Sequence, residues 1–310
     1  MRFRPVHCVA TFAAILFVFA IAVPNRALAA EGAQIHYLLG STGFQAGLVP
    51  PEPGTYFKNQ AYFYDGEMGV DLRGGQIVLN ASDSEFIDLL YFTRVTDIKV
   101  AGGNLAFTAI VPFLNANIAA SVGPFSQEQS AGGFSDLCLA PNIGWNSENC
   151  HWFVGAEIYA PTGNFAVGSL AYTGLGYWTV GPNAGFTYLN KKSNRELSFF
   201  TGVDFNTMHA QTDYQSGDVF HLDFLAAQHF SNGLAIGING YYYDQFTNDT
   251  GSGALLGGFQ GQAASLGPAV QYVKKIGSRE VAADFKYFRE FDVRNTFQGN
   301  LYVFDVSFKF

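Results

Sequence analysis

Beyond residue 30 no run of apolar residues is long enough to cross a membrane as a helix, yet apolar residues recur at every second position in segment after segment. The last ten residues, 301–310, set the pattern: Tyr302, Phe304, Val306, Phe308 and Phe310 share one face, opposite Asp305, Ser307 and Lys309. Such a ribbon has one side for hydrocarbon and one for water. One amphipathic strand is weak evidence, and its weight comes from repetition.

Twelve segments read as strands, near 54–64, 85–97, 103–114, 134–145, 150–160, 175–189, 195–206, 217–229, 233–245, 262–275, 279–290 and 300–310. At 195–206, Leu197, Phe199, Thr201, Val203 and Phe205 oppose Glu196, Ser198, Gly202, Asp204 and Asn206, with Phe200 alone breaking the polar face. At 217–229, Phe220, Leu222 and Phe224 oppose His221 and Asp223, and at 279–290 Val281, Ala283, Phe285 and Tyr287 oppose Asp284 and Lys286. Around 85–97, Ile87, Leu89, Tyr91 and Val95 oppose Asp88, Arg94 and Thr96, and the apolar set is taken as the outer one. Connectors alternate between long (65–84, 115–133, 161–174, 207–216, 246–261, 291–299) and short. An even-stranded up-and-down barrel with both termini at one end predicts this alternation, with short periplasmic turns and long extracellular loops. Lipid offers the backbone no hydrogen-bond partners, so the sheet must close and leave no edge. The expected fold class is therefore all-β, a transmembrane antiparallel up-and-down β-barrel of about 12 strands.

Residues 1–29 read as an export signal peptide: Arg2 and Arg4, the apolar stretch from Val9 to Val23, and Ala27-Leu28-Ala29 before the cleavage point. Cys8 precedes the apolar stretch and is no lipid attachment site. Without Arg2, Arg4 and Arg26, 14 basic residues face 25 acidic ones, a net charge near −11 that argues against a nucleic-acid partner. Residues 30–53, broken by Gly40, Gly43 and Pro50-Pro51-Glu52-Pro53, read as a lead-in tucked into the lumen, and residues 54–310 as the barrel. The topology places Cys138 and Cys150 roughly 20 Å apart at about 3.3 Å per residue, so both are expected as free thiols.

Several stretches carry a resemblance: Pro50-Pro51-Glu52-Pro53-Gly54-Thr55-Tyr56-Phe57, Gly132-Gly133-Phe134-Ser135-Asp136-Leu137, Ala160-Pro161-Thr162-Gly163, Gly174-Leu175-Gly176-Tyr177-Trp178 and Thr212-Asp213-Tyr214-Gln215-Ser216-Gly217. Together they resemble the meta-pathway phenol-degradation family of outer-membrane barrels, which includes sphingosine-induced transporter-like proteins. From about Gly40 to Phe310, the resemblance implies an outer-membrane channel associated with aromatic or other hydrophobic compounds. It brings no catalytic residue with it.

Charge on a hydrocarbon face costs about 2–4 kcal/mol for Lys or Arg at mid-membrane, so the polar parity should face inward. The candidate lumen-lining set is Asp88, Arg94, Glu157, Asp204, His221, Asp223, Asp284, Lys286, Asp305 and Lys309. These charges either set a transverse field that selects solutes or pair across strands to hold a narrow lumen shut. Phe92 and Phe200 are aromatic lumen candidates, offering stacking surfaces or simple packing. His221 and Asp223 could belong to a lipid hydrolase, but nothing in the sequence places a nucleophile beside them. No Cys/His spacing matches a metal site, and the Gly-rich 251–258 stretch lacks the context of a phosphate loop. No catalytic residue, metal or cofactor is expected. Expected partners are outer-membrane lipid, small hydrophobic or aromatic solutes and, through the terminal strand, the barrel-assembly machinery. The functions in view are passive uptake, a barrel-embedded lipid hydrolase, and a sealed structural or surface-interaction barrel.

Overall fold

Period-two alternation builds strands wherever it occurs. The computed structural model describes residues 34–73, 75–122 and 125–310, and among them there are thirteen strands and no helix. They are β1 (Gly54–Arg73), β2 (Gln76–Val100), β3 (Gly103–Val122), β4 (Phe125–Phe134), β5 (Leu137–Asn146), β6 (Cys150–Ala160) and β7 (Thr179–Asn190). Then follow β8 (Arg195–Asn206), β9 (Val219–His229), β10 (Leu234–Gln245), β11 (Gln262–Ile276), β12 (Arg279–Arg294) and β13 (Gln298–Lys309). The expected signal peptide, 1–29, lies outside the described residues.

Every neighbour in the sheet is antiparallel, and β1 pairs with both β2 and β13, which closes the wall. β3 pairs with β4 at Phe113↔Phe134 and with β5 at Ile110↔Cys138. β4 and β5 are thus two pieces of one descending strand, broken at Ser135-Asp136, and the closed barrel has twelve strands. β4 is the loop-end continuation of β5, and among the described residues its second edge joins no strand ladder.

The first three strands run 20, 25 and 20 residues. Most of 65–84 and 115–133, expected as loops, is therefore strand: β1 and β2 stay paired as far as Arg73↔Gln76. A hairpin that pairs to its tip satisfies its own backbone, so it can project beyond the membrane without irregular structure. Near the top its inward face switches from Met68 and Ala81 to Asp71 and Val78, all buried, with Asn80 between them in the left-handed region at φ 46°. Asparagine tolerates that conformation better than most side chains.

Outward residues form an apolar band that includes Phe63, Phe107, Leu139, Val180, Ile238 and Leu266. The terminal strand fits it: Tyr302, Phe304, Val306 and Phe310 are 41–60% exposed on the outer face. At the short-turn end Trp145 and Trp152 stack 4.1 Å apart on the outside, where an interfacial girdle is expected. Cys138 is a free thiol and no bridge joins it to Cys150, but the expectation of a second free thiol at Cys150 is not met: Cys150 is disulfide-bonded.

Residues 34–53 run down the lumen from the loop end to the turn end. His36 hydrogen-bonds the Thr179 hydroxyl (2.7 Å) and the Asp136 carboxylate (3.0 Å) at the top. The Gly47 amide donates to Thr187 Oγ1 (2.9 Å), and at the bottom Asn146 donates to the Val49 carbonyl (2.8 Å). A Cβ on Gly47 would lie 2.5 Å from the backbone of Phe186, so the segment is pressed against the wall where only glycine fits.

Candidate functional site in the lumen

Two polar layers hold this inner segment. In the first, the Asp223 carboxylate accepts from the Tyr37 hydroxyl (2.7 Å), the Gly40 and Thr42 amides (both 3.1 Å) and the Thr42 hydroxyl (3.0 Å). From the other side the Lys286 ammonium donates to the carbonyls of Gly40 (2.8 Å), Ser41 (3.1 Å) and Thr42 (3.3 Å), and pairs with Asp305 at 3.3 Å. A carboxylate collecting donors and an ammonium collecting carbonyls clamp residues 40–42 between β9 and β12. In the second layer Glu196 accepts from the Gln45 amide and pairs with His229 at 2.6 Å.

His221 lies under Tyr37, ring centroids 3.8 Å apart, with Phe200 stacked on both. Its Nε2 is 3.6 Å from Asp204, and its Nδ1 has no hydrogen-bond partner among the described residues. Among the described residues no serine or threonine hydroxyl hydrogen-bonds the ring, as a nucleophile would. The ring is held by packing and by charge.

Above the clamp lies a cavity of about 240 Å³. Its walls are mostly apolar or aromatic: Tyr62, Ile87, Leu89, Tyr91, Ile110, Cys138, Tyr159, Tyr241 and Leu301. Residues 172–175, from the loop after β6, form part of its lining, and this loop also buries Leu170 and Ala171 against Met68, Val78, Ile118 and Phe297. Asp136 pins the loop by accepting from the amides of Gly163 (2.8 Å) and Leu175 (2.6 Å). The cavity therefore lies between an extracellular loop and the N-terminal segment.

Charged groups also line it. Arg73 is buried between Asp71 (2.7 Å) and Asp83 (2.9 Å). Glu290 accepts from the hydroxyls of Tyr64 (2.9 Å) and Tyr241 (2.6 Å) and from the Gly299 amide (2.6 Å). Glu157 accepts from Tyr159 at 3.0 Å.

Of the lumen set expected from sequence, Glu157, Asp204, His221, Asp223, Asp284, Lys286 and Asp305 lie on inward-facing parities, with Phe200 among them. Lys309 keeps the inward parity at the periplasmic rim, paired with Glu52 at 2.7 Å. Three assignments are corrected. Phe92 (42% exposed), Asp88 and Arg94 lie on the outer face of β2, because its apolar parity, Ile87, Leu89 and Val95, is buried in the lumen. The cavity is itself apolar at this height, so both faces of β2 carry hydrophobic residues and polarity alone picks the wrong one. Outside, Asp88 accepts a hydrogen bond from the Asn59 amide group, and Arg94 reaches Thr55 (3.2 Å) at the margin of the band. Sequence reasoning missed Arg73, Asp83, Glu85 and Glu290. Asp83 and Arg73 fall in a stretch that reads as loop in the sequence, and Glu85 shares the parity of Ile87, which reads there as outward.

Comparison with known proteins agrees with this architecture. The family described as "Putative MetA-pathway of phenol degradation" matches residues 70–306. A search of curated proteins finds no match. Among solved structures, the COG4313 outer membrane channel from Pseudomonas putida F1 superposes with a TM-score of 0.65 at 13% identity, over 86% of this chain and 98% of that one. The transport unit of the autotransporter AIDA-I from Escherichia coli gives 0.49 at 9% identity, over 86% and 93%. The CymD monoaromatic hydrocarbon channel gives 0.45 at 8% identity, over 83% and 88%. The first of these likenesses identifies the fold as an outer-membrane barrel.

Proposed function

Because this chain belongs to the MetA-pathway phenol-degradation family, we propose that it is an outer-membrane channel for passive uptake of small hydrophobic or aromatic compounds. The observation that carries the reading is the tyrosine-rich apolar cavity held inside a closed, lipid-facing wall. A porin for ions and sugars would be lined by polar groups and water along its length. Here a solute leaves water beneath the loop after β6, rests among Tyr62, Tyr91 and Tyr159, and passes the 40–42 clamp when that segment shifts. Lys286, Asp305, Asp223 and His221 then act as the gate, and Asp204, Asp284 and Glu157 set the field around it. Outer-membrane lipid surrounds the band, and the terminal strand serves the barrel-assembly machinery.

The dense bonding of residues 40–42 favours a second reading, a sealed structural barrel. Uptake into liposomes carrying the purified barrel separates the two. The channel reading expects phenol to enter faster than into protein-free liposomes, and a barrel that passes phenols, amines and small ions no faster than bare lipid is the sealed one.

A further inference from the structure

Although the chain is acidic overall, with 25 acidic and 17 basic residues, its short-turn rim carries cations that no acid among the described residues neutralises. Lys274 on β11 and Arg279 on β12 are both exposed, and the register fixes the face they share. Lys274 lies opposite Val281, which lies opposite Phe308, and Arg279 lies opposite Ile276; all belong to the lipid-facing parity of Tyr272, Phe304 and Val306. The two cations are thus diagonal neighbours across one strand pair, about 7–8 Å apart. Like charges this close repel unless an anion lies between them. Elsewhere at the rims Arg294 pairs with Asp244 (3.7 Å) and Lys309 with Glu52 (2.7 Å), whereas among the described residues neither Lys274 nor Arg279 forms an ion pair, either with Glu280 or with the terminal carboxylate of Phe310. On the opposite face of the same hairpin Lys275 stands across from Glu280. The lipid-facing pair has no such counterpart among the described residues.

Beside these charges the wall is aromatic. Phe57 packs against Phe92 and Phe308, at 5.4 Å between centroids in both cases, and Phe310 lies 5.2 Å from Phe308. The Arg279 guanidinium sits 5.7 Å from the Phe308 centroid, over this floor. Rings at the edge of the apolar band mark the depth where hydrocarbon gives way to headgroups. Lysine and arginine there lay their stems along the apolar wall and hold their charges at headgroup depth. An anion that fits both features carries hydrocarbon, and one that brought its own ammonium would restore the excess it relieves.

We propose that Lys274 and Arg279 form a binding site for an anionic phospholipid of the periplasmic leaflet. Both cations donate to the oxygens of its phosphate, while an acyl chain lies along Phe308 and Phe57. The site faces away from the lumen, so it rests on the outer-membrane fold and not on the channel reading.

Native mass spectrometry of the purified barrel in detergent, with equal amounts of dioleoyl phosphatidylglycerol and dioleoyl phosphatidylethanolamine, tests it. The phosphatidylglycerol adduct is expected to exceed the other at least about fivefold, the effect of one well-placed cation at an anionic surface. In the double variant Lys274→Gln, Arg279→Gln, both at exposed positions, the ratio should fall below about twofold. The variant Lys191→Gln, Lys192→Gln, at the β7–β8 turn, should keep the native ratio. Equal adducts on the native barrel overturn the proposal, as does a preference lost equally with Lys191 and Lys192. Inorganic phosphate at the lipid's own concentration that displaces phosphatidylglycerol, where chloride at matched ionic strength does not, would assign the cations to a free anion and overturn it too. If the Lys274, Arg279 variant keeps the preference but is inserted more slowly by the assembly machinery, the cations serve that machinery and not lipid.

Discussion

Asp223 carries the greatest structural responsibility of any single side chain in the lumen, since four donors from the inner segment converge on it. Asp223→Ala leaves those donors without their acceptor. Hydrogen bonds to a charged group contribute about 1.5–3 kcal/mol each and do not add fully, so a loss of about 2–3 kcal/mol from the detergent-solubilised barrel is expected, read from its denaturant midpoint. Single-channel conductance should rise in the same variant, because Lys286 alone holds only one side of residues 40–42. Asp223 was legible from sequence because it alternates cleanly with Phe220, Leu222 and Phe224 in a strand whose two faces differ. Asp88 was misplaced because β2 has no such contrast: Phe86 and Phe92 outside are matched by Ile87 and Leu89 inside. An outward carboxylate is tolerated there by its bond with Asn59, a partner two strands of sequence could not reveal.

At the level of elements, the connectors that looked alike in sequence have divided into two kinds. Those after β1 and β3 are hairpin arms, while 161–178 and 207–218 fold back over the barrel. Length predicted that both kinds lie outside the membrane. It could not say which would pair, since Ser126–Ser130 has no apolar residue at all and the alternation of Met68, Val70 and Leu72 is too short to stand out from a loop. The folded-back loops are joined at His209, whose Nδ1 accepts from the Gln211 and Thr212 amides and lies within hydrogen-bond reach of the Thr212 hydroxyl, and whose ring packs 4.2 Å from that of Phe165. Burial pushes this imidazole below its ordinary pKa. A group whose folded pKa is depressed binds protons more readily when its loop opens, so its contribution is present above the unfolded value of about 6.5 and falls away as pH drops below it. Limited proteolysis within 207–216 should accelerate between pH 7.5 and pH 5, and His209→Gln should flatten that dependence.

Considered whole, the molecule is a wall and a filling, and the two make separate claims on the sequence. The closure of the wall was readable, though neither the parity of β2 nor the reach of the first hairpins was, because alternation, loop lengths and the aromatic terminal strand all follow from the requirement that a lipid-exposed sheet must close. The filling was not, because its affinities depend on which inward side chains meet at one height, and that needs the register between strands. Removing residues 34–51 should therefore leave the strand content unchanged by circular dichroism, as the ladder from β1 to β13 contains none of them. Conductance should increase severalfold over the full chain. An unchanged value would assign the constriction to the loop after β6.

The inner segment begins the described chain, yet its anchors Asp223 and Lys286 stand on β9 and β12, and the seam that encloses it is the pairing of β1 with β13. Once that seam is zipped, a segment with its own strand at one end has no side entrance left. A segment tethered to β1 meets those anchors most directly while the cylinder is still a curved ribbon, so its docking is expected to precede the meeting of the first strand with the last.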